Sequence, residues 1–185
     1  MDFDKVIKER RSVRKFKKKR PDWRDILDAI EAARYAPSAG NLHAVKFILV
    51  DNPEIIADLA EAADQDFILD AHYVIVVCSD PTQVERSYYE RGERYVRQQS
   101  GAAIENFLLK LTDLGLGSCW VGAFVDDHVK KALRIPEKVA VEAIIPIGYS
   151  ADISKRSKKP DEDSFFYFNK YGAKFLKPRR VVEER

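Results

Sequence analysis

The sequence predicts an α+β sandwich, and three observations lead to this prediction. Segments with helical and strand-like periodicity are interspersed along the chain, without the strict alternation of a doubly wound sheet. No GxGxxG motif follows a predicted strand, which argues against a Rossmann dinucleotide site. A chain of 185 residues with 45% hydrophobic content suits one domain that buries a proper core. We therefore expect residues 1–185 to form a single domain.

The first two predicted elements are helices. Apolar residues recur at helical spacing over 3–7, and a second amphipathic helix follows Asp22, which can cap its N-terminus. This second helix must end before Pro37, because proline disfavours helical backbone in the residue that precedes it. The segment 36–41, APSAGN, has the composition of a turn.

The predicted sheet begins in the middle of the chain. Residues 45–50 read as a strand, and Asn52-Pro53 starts a third helix that extends to about residue 63. The run over 73–78 is apolar almost throughout, which predicts a strand buried on both faces.

The second half contains a central packing helix. After a polar and aromatic stretch over 82–99, apolar residues at helical spacing predict a helix over 103–114 that ends at Gly115 or Gly117. The remaining predicted elements are a strand over 118–121, a helix from 126 to about 133 closed by Pro136, and a strand over 139–147.

Composition excludes several classes of protein. The chain has 32 basic and 30 acidic side chains, a balance that does not predict a polyanionic partner. It lacks the roughly 18 uninterrupted apolar residues of a membrane helix, and its start lacks the apolar core of a signal peptide, so we expect a cytoplasmic protein without a membrane partner. Cys78 and Cys119 lie in apolar runs without a ligand cluster, which predicts reduced core cysteines and no metal site.

The last part of the chain is rich in aromatic residues. Six of the eleven residues from Phe165 to Phe175 are Phe or Tyr. Such a segment either docks on its own core or covers a second subunit, which would give a small chain more buried surface. We expect residues 164–185 to form a C-terminal dimerisation arm.

A basic segment near the N-terminus carries the first functional signal. Nine of residues 8–20 are Lys or Arg, and Ser12 lies among the arginines. Forked guanidinium groups and a hydroxyl at close spacing suit a dianionic phosphate. The alternatives are a solvated basic face or a nucleic-acid patch, although only Phe16 offers an aromatic ring for stacking.

Four segments together resemble the FMN-dependent nitroreductase family, and they are distributed over nearly the whole chain. They are RRSVRKF at 10–16, APSAGN at 36–41, GLGSCWVGAF at 115–124 and IPIGY at 145–149, with YYERGERY at 88–95 as a further similarity. The resemblance implies a central, mostly antiparallel sheet flanked by helices, in an intertwined homodimer.

The resemblance also implies which residues bind FMN. Arg10, Arg11 and Ser12 are expected to hold the phosphate and part of the ring, and Arg14 to lie near the pyrimidine end. From the other subunit, Pro37, Ser38, Ala39 and Asn41 are expected to contact the flavin carbonyl oxygens and the ribityl chain. A backbone N–H of Val121 or Gly122 is expected to donate to the flavin N5, and Arg156, rather than Lys155, to close on the phosphate.

The implied activity needs no catalytic side chain. NADH or NADPH gives a hydride to the flavin N5, leaves, and a small acceptor such as a nitroaromatic or a quinone takes its place. A divergent reaction, either reductive dehalogenation or fragmentation of the flavin, is one alternative, and a nucleic-acid-binding module without a cofactor is a remote one.

Two departures from the family pattern leave the acceptor open. His43 stands where the family commonly has glutamine, and Gln98, Gln99 or Ser100 stands where it often has an acidic residue. The tyrosines at 88, 89 and 95 and Phe124 are candidate aromatic walls, but aromatic residues in amphipathic stretches more often belong to the core.

Overall fold

The computed structural model describes residues 1–151, 159–161 and 164–174. The chain divides into two compact units, Met1–Ile153 and Ser154–Arg185. No helix among the described residues combines the length and the apolar character needed to span a bilayer.

The first unit contains six helices and four strands among its described residues. In chain order they are α1 (Phe3–Glu9), α2 (Trp23–Ala33), β1 (Val45–Val50), α3 (Pro53–Ala63), β2 (Tyr73–Ser79), α4 (Thr82–Tyr88), α5 (Gly92–Asp113), β3 (Gly117–Ser118), α6 (Asp126–Leu133) and β4 (Ala140–Gly148). Short 3₁₀ turns lie at Ala39–Asn41, Asp66–Asp70 and Tyr89–Arg91.

The four strands form one antiparallel sheet in the order β1-β2-β4-β3. A bulge shifts the pairing of β2 with β4 between Val77 and Cys78. This arrangement confirms the predicted α+β class and the mostly antiparallel sheet.

Helices cover both faces of the sheet. Because side chains alternate along a strand, Val74 and Val76 of β2 pack towards α3 and α6, whereas Ile75 and Val77 pack towards α2 and α5. Every residue of β2 is buried, as the apolar run predicts. The sheet is therefore the middle of three layers.

Local sequence signals position the first helices as predicted. The Asp22 side chain accepts a hydrogen bond from the Arg24 N–H at the start of α2, 3.0 Å away. The Asn52 side chain accepts from the N–H of Glu54 at 2.8 Å, and Pro53 occupies the first turn of α3.

Helix α5 differs from its prediction because it begins at Gly92, eleven residues earlier than the apolar pattern indicates. Its N-terminus lies so close to α4 that a Cβ on Gly92 would come within 2.5 Å of the Glu85 Cα atom. The predicted strand over 118–121 is also shorter, since only Gly117–Ser118 pairs as a strand and Val121 forms an isolated bridge with Ile144.

The described residues of the second unit form local aromatic pairs. Phe166 and Phe168 meet edge-on with ring centroids 5.5 Å apart, and Tyr167 and Tyr171 lie 5.0 Å apart. The proposed extent of the arm, 164–185, includes residues outside the described ranges and stays a prediction.

Candidate functional site

The basic segment lies along the sheet edge formed by β3 and the end of β4. The Val13 N–H donates to the Ser118 carbonyl at 2.8 Å, and Ser12 and Ser118 form a parallel bridge. Farther along, the Lys17 N–H donates to the Tyr149 carbonyl and the Ala151 N–H to the Lys15 carbonyl, both at 2.8 Å. We call residues 10–17 the basic strip.

Two glycines let the basic strip approach the sheet. A Cβ on Gly117 would stand 2.9 Å from Val13 Cγ2, and a Cβ on Gly148 would stand 2.9 Å from Phe16 Cδ1. Real side chains do not make such contacts, so the close approach requires glycine. This edge of the sheet therefore brings together three of the four family-like segments, those at 10–16, 115–124 and 145–149.

The arginines of the basic strip differ in their surroundings. Arg10 pairs with Glu105 of α5, with Nε 3.0 Å from Oε1, and Arg11 is half-buried. Arg14 is exposed, its guanidinium lies 5.9 Å from the centre of the Phe67 ring, and it forms no ion pair with another described residue. The strip thus keeps positive charge directed at solvent next to the hydroxyl-bearing Ser12.

The Cys119 thiol lies beneath this strip. Burial raises the pKa of Cys119, while the charge of Arg14 and a hydrogen bond with Ser12 act in the opposite direction. Burial is also the main reason that the pKa of Cys78 rises to about 11. Within the described ranges, no group of three His, Cys, Asp or Glu side chains is arranged to hold a metal ion.

The two candidates for a backbone donor to a ligand differ. The Val121 N–H donates to the Ile144 carbonyl and the Ile144 N–H to the Val121 carbonyl, both at 3.0 Å. The next residue, Gly122, is exposed and its N–H has no acceptor among the described residues. The amide that faces solvent at this turn is therefore that of Gly122.

The turn over 36–41 connects helix α2 to strand β1 and contacts helix α5. Gly40 and Asn41 have positive φ angles of 56° and 60°, and a Cβ on Gly40 would come within 2.5 Å of the Tyr88 hydroxyl. The Tyr88 ring meets Tyr95 edge-on at 5.1 Å. Within this one chain, no residue of the basic strip lines the pockets beside the turn.

Two pockets adjoin the turn. One has a volume of about 480 Å³ and a mixed polar and apolar lining that includes side chains of α2, β1 and α5. The other, of about 440 Å³, adds the side chains of Tyr88 and Tyr95. Both pockets are lined by Pro37, Ser38 and Gln99.

The other residues singled out in the sequence do not lie together in the structure. His43 is exposed at the rim of the larger pocket, Tyr89 is exposed, and Phe124 packs against the core on the α3 and α6 face. Arg156 lies outside the described residues, as does Lys155.

Sequence reasoning missed the state of the Gln99 side chain, although it had singled out the position. Gln99 is 5% exposed, and its Nε2 atom has no hydrogen-bond partner among the described residues. The only sequence signal is its spacing, since Gln99, Ala102 and Ala103 occupy one face of a helix.

The antiparallel sheet between two helical layers, with a basic strip bonded along its glycine-lined edge, defines an α+β sandwich of the nitroreductase fold. The chain belongs to the nitroreductase family, because that family's model matches residues 7–68 and 60–149. The resemblance noted in the sequence is thereby confirmed.

Individual comparisons agree with this assignment. The chain is 37% identical over 153 residues to a putative NADH dehydrogenase/NAD(P)H nitroreductase of Archaeoglobus fulgidus, covering 80% of this chain and 85% of that protein. It is similar to the solved structure of an FMN-dependent nitroreductase from Clostridium difficile, with a TM-score of 0.77, 27% identity and coverage of 90% and 98%.

A more distant relative is named for a different reaction. An iodotyrosine deiodinase of Thermotoga neapolitana is 23% identical over 192 residues, covering 90% of this chain and 97% of that protein. Family membership removes the reason to read the basic strip as a nucleic-acid module without a cofactor.

Proposed function

We propose that the protein passes reducing equivalents from NAD(P)H through FMN to a small acceptor, such as a quinone or a nitroaromatic compound, in a ping-pong cycle. Family membership and the named relatives support an oxidoreductase that depends on NAD(P)H and FMN. The observation that carries the proposal is the convergence of the basic strip with the β3 and β4 edge.

The residues of this edge fit a flavin phosphate. The guanidinium groups of Arg10 and Arg11 and the hydroxyl of Ser12 would hold the phosphate through charge-assisted hydrogen bonds. Arg14, exposed at the same edge, would add positive charge near the pyrimidine end of the ring. Arg156 would complete the phosphate site.

The backbone at Gly122 would meet the reactive part of the ring. Its exposed N–H would donate to N5, whereas the Val121 N–H is already bonded to Ile144 within the sheet. A residue without a side chain lets a flat ring approach the backbone closely. Val121 would therefore contact the ring by packing rather than through its amide.

FMN, when bound, would supply the redox chemistry of accepting a hydride from NAD(P)H and passing two electrons to the acceptor. The side chains of this protein then have to bind and orient the cofactor and to leave one face of it open. None of them has to act as a general base.

The turn over 36–41 supports a homodimer. Pro37, Ser38, Ala39 and Asn41 are expected at the flavin, yet the pockets that they line include no residue of the basic strip. Both sets of residues would meet one FMN if the turn reaches across to a second copy. The site would then be complete only in the dimer.

The first experiment is to purify the protein, identify any released cofactor, record the visible spectrum and add NADH or NADPH without oxygen. We expect a yellow protein that contains FMN and bleaches with at least one of the two donors. A colourless protein that does not take up added FMN would overturn the proposal.

Reductive dehalogenation is the second candidate, and it is favoured by the match to the deiodinase. The same reduced protein should be mixed with 3-iodotyrosine and the solution assayed for iodide and tyrosine. Release of iodide at a rate that exceeds quinone reduction would favour this candidate over the first.

A further inference from the structure

Gln99 carries a buried hydrogen-bond donor without an acceptor. It is 5% exposed, and its Nε2 is the buried side-chain polar atom that lacks a partner in the described part of the chain. Buried polar groups nearly always have a partner, because an amide that leaves water without gaining one is destabilising. Because Gln99 also lines two pockets, a rotation of its side chain would offer this donor to an acceptor atom of a bound ligand.

The helix around Gln99 provides no such acceptor. Its neighbour Ser100 is satisfied locally, since the Ser100 hydroxyl donates to the Val96 carbonyl one turn earlier at 2.8 Å. On the face that carries Gln99, the next residues are Ala102 and Ala103. Their side chains are small and offer the amide no acceptor.

Two pockets that could hold a small aromatic molecule adjoin Gln99. Gln99 lies where the pockets of about 480 and 440 Å³ meet. Apolar side chains from three elements line the larger pocket, namely Ile30, Ala33, Val45, Phe47 and Ala103. The rings of Tyr88 and Tyr95 line the smaller one, so an aromatic ligand would find both apolar walls and one polar anchor.

The charged side chains of the larger pocket lie at its exposed rim. Arg34 is hydrogen-bonded there to Glu31, which holds the pKa of Arg34 above its ordinary value. Lys46 lines the pocket with an exposed side chain. The buried lining beside Gln99, which includes Ala33 and Ala103, is uncharged, so a carbonyl oxygen of a neutral ligand suits the amide donor.

We propose that Gln99 is a specificity-determining residue whose Nε2 donates a hydrogen bond to a carbonyl oxygen of a quinone. This inference rests on the proposed function, because Pro37 and Ser38 line the same pockets and are the residues expected to contact the FMN of the second copy. The net reaction is NAD(P)H + H⁺ + quinone → NAD(P)⁺ + hydroquinone, in which the quinone gains two electrons and two protons.

The test compares Gln99→Leu with Gln83→Leu. Leucine puts an apolar side chain of similar size at position 99 and removes the donor, whereas Gln83 is exposed and lines neither of the two pockets. Loss of one hydrogen bond should raise the KM for duroquinone and weaken its calorimetric binding to the oxidised FMN-loaded protein about tenfold in Gln99→Leu. The control should match the wild type.

Three further measurements separate this role from a structural one. FMN content should stay unchanged, and so should the oxidation by ferricyanide of protein that has been reduced with dithionite, because neither needs a hydrogen bond in the pocket. The melting temperature should not fall, because an unsatisfied amide is replaced by an apolar group. Gln99→Met serves as a second donor-free variant if Gln99→Leu does not fold.

Several results would overturn the inference. Unchanged duroquinone binding in both donor-free variants would exclude the hydrogen bond. Loss of FMN would show that the amide binds the cofactor, and a lower melting temperature with a uniform loss of activity would show a structural role. A wild-type protein that does not bleach with NAD(P)H would instead refute the proposed function, which is measured first.

Discussion

Arg97 of helix α5 and Glu142 of strand β4 form an ion pair that ties the helix to the sheet, with Nη1 2.8 Å from Oε2. The other Glu142 oxygen accepts a hydrogen bond from the Ser79 hydroxyl of strand β2. The Glu142 side chain is only 8% exposed, although Arg97 is about half exposed at 52%. One carboxylate therefore connects three elements near the bulge in the sheet.

We predict that Glu142→Ala lowers the free energy of unfolding by about 2 kcal/mol, because it leaves two hydrogen-bond donors without their acceptor. Urea unfolding measures the change. Glu93→Ala is the matched control, since Glu93 also faces Arg97, at 4.0 Å, but its side chain is 75% exposed. Equal losses in the two variants would contradict a special role for the partly buried carboxylate.

Arg10→Ala should weaken FMN binding. A guanidinium that contacts a phosphate contributes charge-assisted hydrogen bonds, so we expect the Kd for FMN to rise about 10- to 100-fold. Arg10 also pairs with Glu105, and Glu105→Ala provides the comparison for loss of that ion pair alone. Fluorescence titration of the apoprotein measures both, and unchanged affinity in Arg10→Ala would remove this residue from the phosphate site.

The close approach of the basic strip to the sheet makes Gly148 sensitive to substitution. A Cβ at Gly148 would come within 2.9 Å of Phe16, so we expect Gly148→Ala to destabilise the fold by about 1–3 kcal/mol and to loosen the strip. At Gly101 of α5, the corresponding position has no described atom within 4 Å apart from the neighbouring residues and backbone of its own helix. Gly101→Ala should therefore stabilise the helix, by about 0.5–1 kcal/mol. Thermal unfolding that showed the same sign for both variants would contradict this reasoning.

Much of the fold could be predicted because its signals are local. Asp22 and Asn52 cap the helices that follow them, and the apolar run over 73–78 is the buried strand β2. The start of α5 could not be predicted, because its first turns are mostly polar and are held by packing of Gly92 against Glu85 of α4. A single close contact of this kind produces no periodic pattern of apolar residues in the sequence.

The candidate site, like the fold, could be predicted from the sequence only in part. Family-like segments identified the basic strip and the turn over 36–41 from their residues alone. The unpaired amide of Gln99 could not be foreseen, because it depends on the absence of an acceptor in three elements that are distant in sequence. The engaged Val121 amide likewise depends on its bridge to Ile144, more than twenty residues later.

Removal of residues 164–185 tests the proposed arm. The described part of this segment includes Phe165 and Tyr171, which are 82% and 95% exposed. Exposed aromatic residues in such a cluster are typical of an interaction surface. We expect the shortened protein to be a monomer or insoluble, as measured by light scattering, with little FMN retained. A stable dimer that contains FMN would show that the arm is dispensable.

The two cysteines should be unreactive in the folded protein. Cys78 and Cys119 are each 2% exposed, and burial raises the pKa of both thiols, that of Cys78 to about 11. At pH 8 only about one Cys78 thiol in a thousand would be the reactive thiolate. A thiol reagent should therefore detect neither cysteine before denaturation and two afterwards.

The raised thiol pKa of Cys78 also has a consequence for stability at high pH. Because the unfolded chain loses this proton first, the contribution of Cys78 is complete below the ordinary thiol pKa of 9.0 and declines as pH rises towards about 11. Urea unfolding from pH 8 to 11 should show a smaller decline in Cys78→Ala than in the wild type. Equal declines, or rapid labelling of Cys78 in the folded protein, would show that the thiol is not buried as the structure has it.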